Sequence, residues 1–314
     1  MLTYILKRVV SIATILVVLS MLIFGITQIL PGSVARVIAG QFATPETITA
    51  IEARLGLNDP FYIQYGHWAV GVLHGDLGRS LILERPIGPV LWAALCNSAV
   101  LAIVAFVIVT ILGIGLGVLS AIRQNGPLDH GVSIFTFLGV SVPEFFWGIV
   151  LILIFARWLR WLPAGGAAEP GAGPGAMVAH IVLPSVTLAF ALVAHVSRMT
   201  RSSMVGVMRS QYVRNARAKG MPERTVILRH ALPNALLPTI TVLAIDVGWL
   251  IGGVVVTETV FAYPGLGRAL IFAIERHDLP MIQASTLVIA AIYCSANLVA
   301  DLLYAFFNPK IRYG

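Results

Sequence analysis

The sequence predicts an all-α membrane protein that crosses the bilayer six times. Of its 314 residues 58% are hydrophobic and only 11% charged, where a soluble domain carries roughly 25% charged residues. Six apolar stretches reach the length of about 20 residues that a bilayer core requires. The basic residues, moreover, gather in alternate connecting segments, as they do in chains oriented by the positive-inside rule.

The first stretch, 9–30, follows Lys7 and Arg8 and is flanked by small residues, as a secretory signal is. A signal's apolar region spans only about 7–15 residues, so a retained transmembrane anchor is the better reading. Segment 31–97 then reads as a long, partly helical first external loop. Thr44, Pro45 and Glu46 supply a cap and first turn, Ile48, Ile51 and Leu55 recur at helical spacing, and Gly56 can stop the helix. Asp59-Pro60 opens a second helix with Phe61, Tyr65, Trp68 and Val72 on one face. That aromatic face suits either the membrane interface or the protein's own spans. Gly75-Asp-Leu-Gly-Arg-Ser80 is turn chemistry, and Pro86 and Pro89 lead into the second span, 98–120.

The third span is expected at 132–156, kinked where Pro143 lacks an amide donor. A Gly/Ala/Pro-rich connector, 163–175, precedes the fourth span, 177–196, and a cytoplasmic loop, 197–234, separates it from the fifth, 235–260. The sixth occupies 281–307, and residues 1–314 read as a single membrane domain. Gly113 to Gly117 and Gly248 to Gly252 place small residues a helical turn apart, which suits close helix packing, with contact between subunits as the lesser alternative. Cys96 and Cys294 have no paired spacing and suggest neither a disulfide framework nor a zinc site.

With an even number of spans both termini share a side. The termini, the 121–131 loop and the 197–234 loop carry thirteen Lys/Arg against Asp129 and Glu223 alone, whereas 31–97, 157–176 and 261–280 carry eight basic and eight acidic residues. Both termini are therefore expected in the cytoplasm. Topology explains the net charge of +7, and no basic stripe interleaved with aromatics suggests nucleic acid. None of Lys7, Lys219 and Lys310 stands in a Gly-Lys-Ser/Thr context, so the chain is expected not to hydrolyse ATP. His-Glu-x-x-His and Gly-x-Ser-x-Gly are also absent. No catalytic residue, metal ligand set or bound cofactor is therefore expected.

The 197–234 loop is the one cytoplasmic segment long enough to do more than turn the chain. It reads as helix, break, helix: Gly220 suits a left-handed helix end and Pro222 the first turn of the next helix. A short basic helix also suits anionic lipid headgroups, and composition alone does not separate the two.

Spacing does. Arg214-Asn215-Ala216-x3-Gly220-x9-His230-x-Leu232-Pro233 resembles the EAA loop, E-A-A-x3-G-x9-I-x-L-P, of binding-protein-dependent ABC importer permeases. Arg214, Asn215 and His230 replace the glutamate, middle alanine and isoleucine. The departures are typical of the dipeptide/oligopeptide (peptide/nickel) branch, which the chain resembles over essentially its whole length. The resemblance is carried also by Gly75–Ser80, Ser141-Val-Pro-Glu-Phe145, His230-Ala-Leu-Pro-Asn-Ala-Leu-Leu-Pro238, Glu258-Thr-Val-Phe-Ala-Tyr-Pro-Gly-Leu-Gly267 and Asn308-Pro-Lys-Ile-Arg312. The long first loop and the ending favour the first of that family's two permease subunits.

The resemblance implies a type I importer permease fold in a bacterial inner membrane. It implies four partners besides membrane lipid: a second homologous permease, two ATPase subunits that use ATP and Mg, and an external substrate-binding protein. The loop would dock into an ATPase cleft through Arg214, Asn215, Ala216, Arg217, Ala218, Lys219, Gly220, His230, Leu232 and Pro233. Without the glutamate, docking would rest on Ala216, Ala218, Gly220 and shape, with Arg217 and Lys219 as ionic contacts. Short peptides are the favoured cargo, with nickel, glutathione or another small solute as alternatives.

Glu144, Asp246, Glu258 and Asp301 fall inside or at the ends of spans, where an ionised group at mid-bilayer costs roughly 2.5–3.5 kcal/mol. Glu144 and Asp246 are expected near mid-membrane, lining a polar path or bonding between helices. Glu258 is expected near the external end as gate or cap, and Asn297 and Asp301 as packing residues. An ion-coupled secondary transporter is a rival reading, as is a membrane scaffold. The first would leave the Gly220 to Pro233 spacing unexplained.

Overall fold

The computed structural model describes residues 2–29, 44–54, 58–169 and 171–307. Gly56 and the Asn308 to Arg312 motif lie outside them. The described residues are helical with connecting turns; their one β-bridge joins Arg79 to Pro86. In chain order the helices are α1 (Leu2–Ile29), α2 (Pro45–Arg54), α3 (Phe61–Leu73), α4 (Ile87–Ile122), α5 (Pro127–Ser141) and α6 (Glu144–Leu151). They continue with α7 (Pro174–Met208), α8 (Gln211–Ala218), α9 (Glu223–Thr225), α10 (Leu232–Val260), α11 (Leu266–Glu275) and α12 (Leu279–Phe307). Two π-helical segments, Ile152–Trp158 and Val226–Ala231, continue α6 and join α9 to α10.

Five helical segments are each long and apolar enough to cross a membrane. The expected third span is not one straight helix: α5 and α6 with its π-helical continuation meet at 111°, and the bent pair counts as the sixth span when taken as one. The break is steric in origin. Val142, crowded by the ring of Pro143, leaves the helical region for φ −108°, ψ 132°, and Pro143 at ψ 145° starts α6 without donating a bond.

The chain forms two compact units, one of Met1–Asn97 with Gly265–Cys294, the other of Ser98–Pro264 with Ser295–Gly314. In the first, α3 packs its aromatic face on α1: Phe24 stands 5.4 Å from Phe61 and 5.6 Å from both Tyr65 and Trp68, and Ser20 and Tyr65 share a 2.8 Å hydrogen bond. Packing against the protein's own span is thus the outcome for this helix. Thr27 accepts a 2.7 Å bond from Gln283 on α12.

The glycine-rich turn at 75–80 is bound to the start of α12. Gly75 and Gly78 adopt φ +82° and +81°, conformations that a Cβ disfavours. Asp278, fully buried, caps α12 through Met281 N–H at 3.3 Å and accepts bonds from the Ser80 hydroxyl and from the amides of Leu81 and Ile82, at 3.2 and 3.3 Å. Asp278→Ala removes a helix cap and strands several donors. We expect it to cost about 2–3 kcal/mol, measured as a lower thermal midpoint in detergent, with Asp278→Asn losing less.

In the second unit α7 and α10 form the centre: 44% of each apolar window is buried, against 17–22% for α1, α4 and α12. Close approach of α4 to α7 depends on glycine. A Cβ at Gly113 would lie 2.7 Å from Val196 Cγ1, and one at Gly117 would lie 2.6 Å from the Ser197 carbonyl. These glycines pack helices within the chain, whereas a Cβ at Gly252 would meet nothing within 4 Å. At the end of the unit that holds the 209–222 turn, Arg201 of α7 forks onto Asp129 of α5, Nε to Oδ1 at 2.6 Å and Nη2 to Oδ2 at 2.7 Å. The Ser120 hydroxyl and the Asn125 amide also donate to Asp129.

Candidate functional site

The 197–234 segment is mostly an extension of its flanking helices. Residues up to Met208 continue α7, and helix resumes at Glu223, leaving a compact turn of 209–222 around α8. Ser210 lies at the N-cap of α8, and the helix ends in a full Schellman motif: Gly220 at φ +71°, its N–H on Arg217 C=O at 2.9 Å, and Met221 N–H on Ala216 C=O at 3.4 Å. The expected break at Gly220 is thus present. Pro222 precedes α9 as its N-cap, one position before the first turn.

The faces of α8 divide its residues by role. Val213 and Ala216 are buried in a cluster with Met204, Val226, Ala231 and Ala235, and Met221 packs against it. Ala216 therefore anchors the turn from below and does not face outward. Tyr212, Arg214, Asn215, Ala218, Lys219 and Gly220 are exposed. Arg217 is also exposed, but its Nε and Nη2 hold both oxygens of Glu223 at 3.0 and 2.6 Å. That bond to Glu223 raises the guanidinium pKa. Arg217 is accordingly engaged within the turn, while Arg214 and Lys219 have no ion-pair partner among the described residues.

His230, Leu232 and Pro233 lie where the π-helical segment passes into α10. Pro233 is exposed and Leu232 half-buried. The π-helical register suits a proline here, since Pro233 has no N–H to continue the α-helical ladder. Asn234 donates to the His230 carbonyl at 3.0 Å, and His230 Nε2 is buried without a hydrogen-bond partner.

The acids occupy separate places. Glu144, at the start of α6, accepts a hydrogen bond from Thr257 of α10, and Gly253 leaves room for it, since a Cβ there would come 2.8 Å from Glu144 Oε2. Glu258, fully buried beside Thr257, accepts from Ser98. Glu144 thus meets α10 one residue before Glu258, near the end of that helix, and not beside Asp246. Asp246 lies twelve residues before Glu258 on α10, a rise of about 18 Å.

Asp246 is 1% exposed, and its Oδ1 lies 3.0 Å from Nδ1 of His195, a residue that sequence reasoning did not select. Fifty-one positions separate the two, and no local pattern marks such a pair. Asp246 Oδ2 and the hydroxyls of Ser185, Thr187 and Ser197 are buried without partners. Asn297 packs against Gly248, its Oδ1 3.0 Å from where a Cβ would stand, as its packing assignment requires. Among the described residues no three His, Cys, Asp or Glu side chains converge to hold a metal ion.

Comparisons with known proteins address the whole chain. Residues 113–313 match the family described as binding-protein-dependent transport system inner membrane component, and residues 1–112 match the N-terminal region of such components. A dipeptide transport system permease protein, DppB, of Alkalihalophilus pseudofirmus is 38% identical, with 100% of both chains covered. A probable peptide ABC transporter permease, y4tP, of Sinorhizobium fredii is 39% identical over 99% of each. A glutathione transport system permease, GsiC, of Salmonella typhimurium is 37% identical over the full length of both. The crystal structure of an amino acid ABC transporter with histidines superposes with a TM-score of 0.50 at 19% identity, covering 71% of this chain and 94% of that one. That likeness bears on the fold.

Proposed function

Since the chain belongs to the family of binding-protein-dependent transport system inner membrane components, we propose that it forms half of a translocation path for short peptides. In this reading it is driven by separate ATPase subunits that dock at 209–222. The chain is the permease subunit of an ABC importer and a transport component, not an enzyme. A second, homologous permease would complete the path, and an external binding protein would deliver the cargo. Both termini would lie in the cytoplasm, on the side of the basic loops.

The observation that carries the coupling role is the two-sided build of α8. Its inner face is fixed by Val213, Ala216 and the Schellman cap to a cluster shared by α7 and α10. A push on its outer face is therefore delivered to the two central helices. The outer face differs from the sequence expectation in its ionic contacts. Arg217 is neutralised by Glu223, so Arg214 and Lys219 are the cations offered to a partner, and the fitting cleft is acidic at that point.

Relatives named for peptide and for glutathione transport favour a peptide cargo, glutathione being itself a short peptide. An ion-coupled mechanism has less support, because about 18 Å along α10 separates Asp246 from Glu258.

The test is reconstitution of the permease pair, ATPases and binding protein in proteoliposomes. ATP-dependent peptide uptake is expected, and Arg214→Glu should lower both uptake and binding-protein-stimulated ATP hydrolysis at least about ten-fold. Uptake driven by an ion gradient without the ATPase subunits would overturn the assignment.

A further inference from the structure

We infer that His195 and Arg198 on α7 form a carboxylate-binding site, which takes the free C-terminal carboxylate of a peptide in transit, and that Asp246 positions it from behind. The inference rests on the peptide reading above and adds a contact residue pair and the cargo group that it recognises.

Three observations support it. First, the pair His195 and Asp246 is oriented. Asp246 is held inside the unit with 2% of its side chain exposed, while 45% of the His195 side chain is exposed. With Nδ1 turned to the buried carboxylate at 3.0 Å, the imidazole presents Nε2 outward. A carboxylate behind one ring nitrogen fixes the ring and favours a proton on it. The outward nitrogen is then a directed donor when the ring is protonated.

Second, Arg198 lies three residues on, so it shares the exposed face of α7 with His195, at a separation of about 5–6 Å between Cβ atoms. It is exposed and has no ion-pair partner among the described residues. Two donors at that separation, one a planar fork, can converge on the two oxygens of a single carboxylate. Asp246 supplies the counter-charge that lets two cationic groups stand together beside an apolar span.

Third, the pair stands on a spanning helix that is well packed on its other faces. α7 is, with α10, among the most buried spanning helices. Polar groups on a spanning helix favour protein or water-filled space over lipid. Arg198 is ten residues before the end of α7 at Met208, about 15 Å along the helix, at the end of the span nearer the 209–222 turn. The site would therefore meet cargo late, after it has passed the level of Glu144 and Glu258.

The experiment uses the complete reconstituted importer with a short peptide and its C-terminally amidated form. Arg198→Gln and His195→Gln are each compared with wild type, and the ratio of variant to wild-type uptake for each peptide cancels any preference of the binding protein. Each variant should lower uptake of the free peptide about ten-fold, the loss of one charge-assisted hydrogen bond, and of the amide less than two-fold. The effect should be the same in vesicles of phosphatidylethanolamine alone and with phosphatidylglycerol. Equal losses for both peptides would overturn the site. So would a loss confined to vesicles with the anionic lipid, which would assign the cations to headgroups, or loss of the second permease on purification, which would assign them to the subunit contact. Absence of wild-type uptake of either peptide would instead strike the peptide reading itself.

Discussion

Replacing Gly220 by valine should abolish ATP-driven uptake, a loss greater than ten-fold, while the permease still inserts and pairs. Gly220 has φ +71°, and a Cβ placed on it would meet no atom within 4 Å. The penalty is therefore purely conformational, about 1–2 kcal/mol for an ordinary side chain in the left-handed region and more for a β-branched one. The cheapest relief is for the residue to leave that region. Doing so breaks the bonds from Gly220 and Met221 to Arg217 and Ala216 and swings Glu223 away from Arg217. The outer face of α8 would then lose its fixed relation to α7 and α10. Because the cause is backbone, the series should be graded: Gly220→Asn, which tolerates the left-handed region, keeps most uptake, Gly220→Ala is intermediate and Gly220→Val is inactive. Uptake and binding-protein-stimulated ATP hydrolysis, measured together, would show this. Equal activity across the series would mean that the Schellman cap is not what coupling depends on.

The second large effect is expected at Asp129. Its carboxylate lowers the cost of placing Arg201 between α4, α5 and α7, and Arg201 keeps 31% of its side-chain surface while Asp129 keeps 4%. Asp129→Ala would leave the guanidinium and the Ser120 hydroxyl facing a gap. Removing one member of a buried pair costs about 3–5 kcal/mol; the partial exposure of Arg201 brings the expectation to about 2–3 kcal/mol. The readout is the thermal midpoint of the purified permease pair, and Arg201→Met in the same chain should restore much of the loss, since it removes the uncompensated charge. If the double variant is no more stable than Asp129→Ala, the ion pair is not the source of the effect.

These residues show where the sequence was legible. Gly220 could be assigned from the sequence because the requirement is local: a helix that must stop before Pro222 needs a residue that accepts positive φ, and one glycine stands there. Asp129 and Arg201 could be counted only as loop charges, because seventy-two positions separate them and pairing at that distance leaves no periodic trace. The same holds for His195 with Asp246, and for Asp278, whose bonds to 80–82 depend on the return of the chain 196–198 residues later.

The sequence by itself determined the membrane character and the approximate place of the spans. Hydropathy over about 20 residues is a sum of local transfer energies and needs no partner. It also determined the family, through spacings set by one helix end and the next helix start. Tertiary structure alone decided the 111° angle at the Pro143 kink, that Glu144 bonds to Thr257 and that Ala216 faces inward while Arg214 faces outward. It decided as well that Arg217 is already held by Glu223. The contact of Glu144 with α10 and the inward face of Ala216 are set by packing against residues far away in the chain, which no local pattern records.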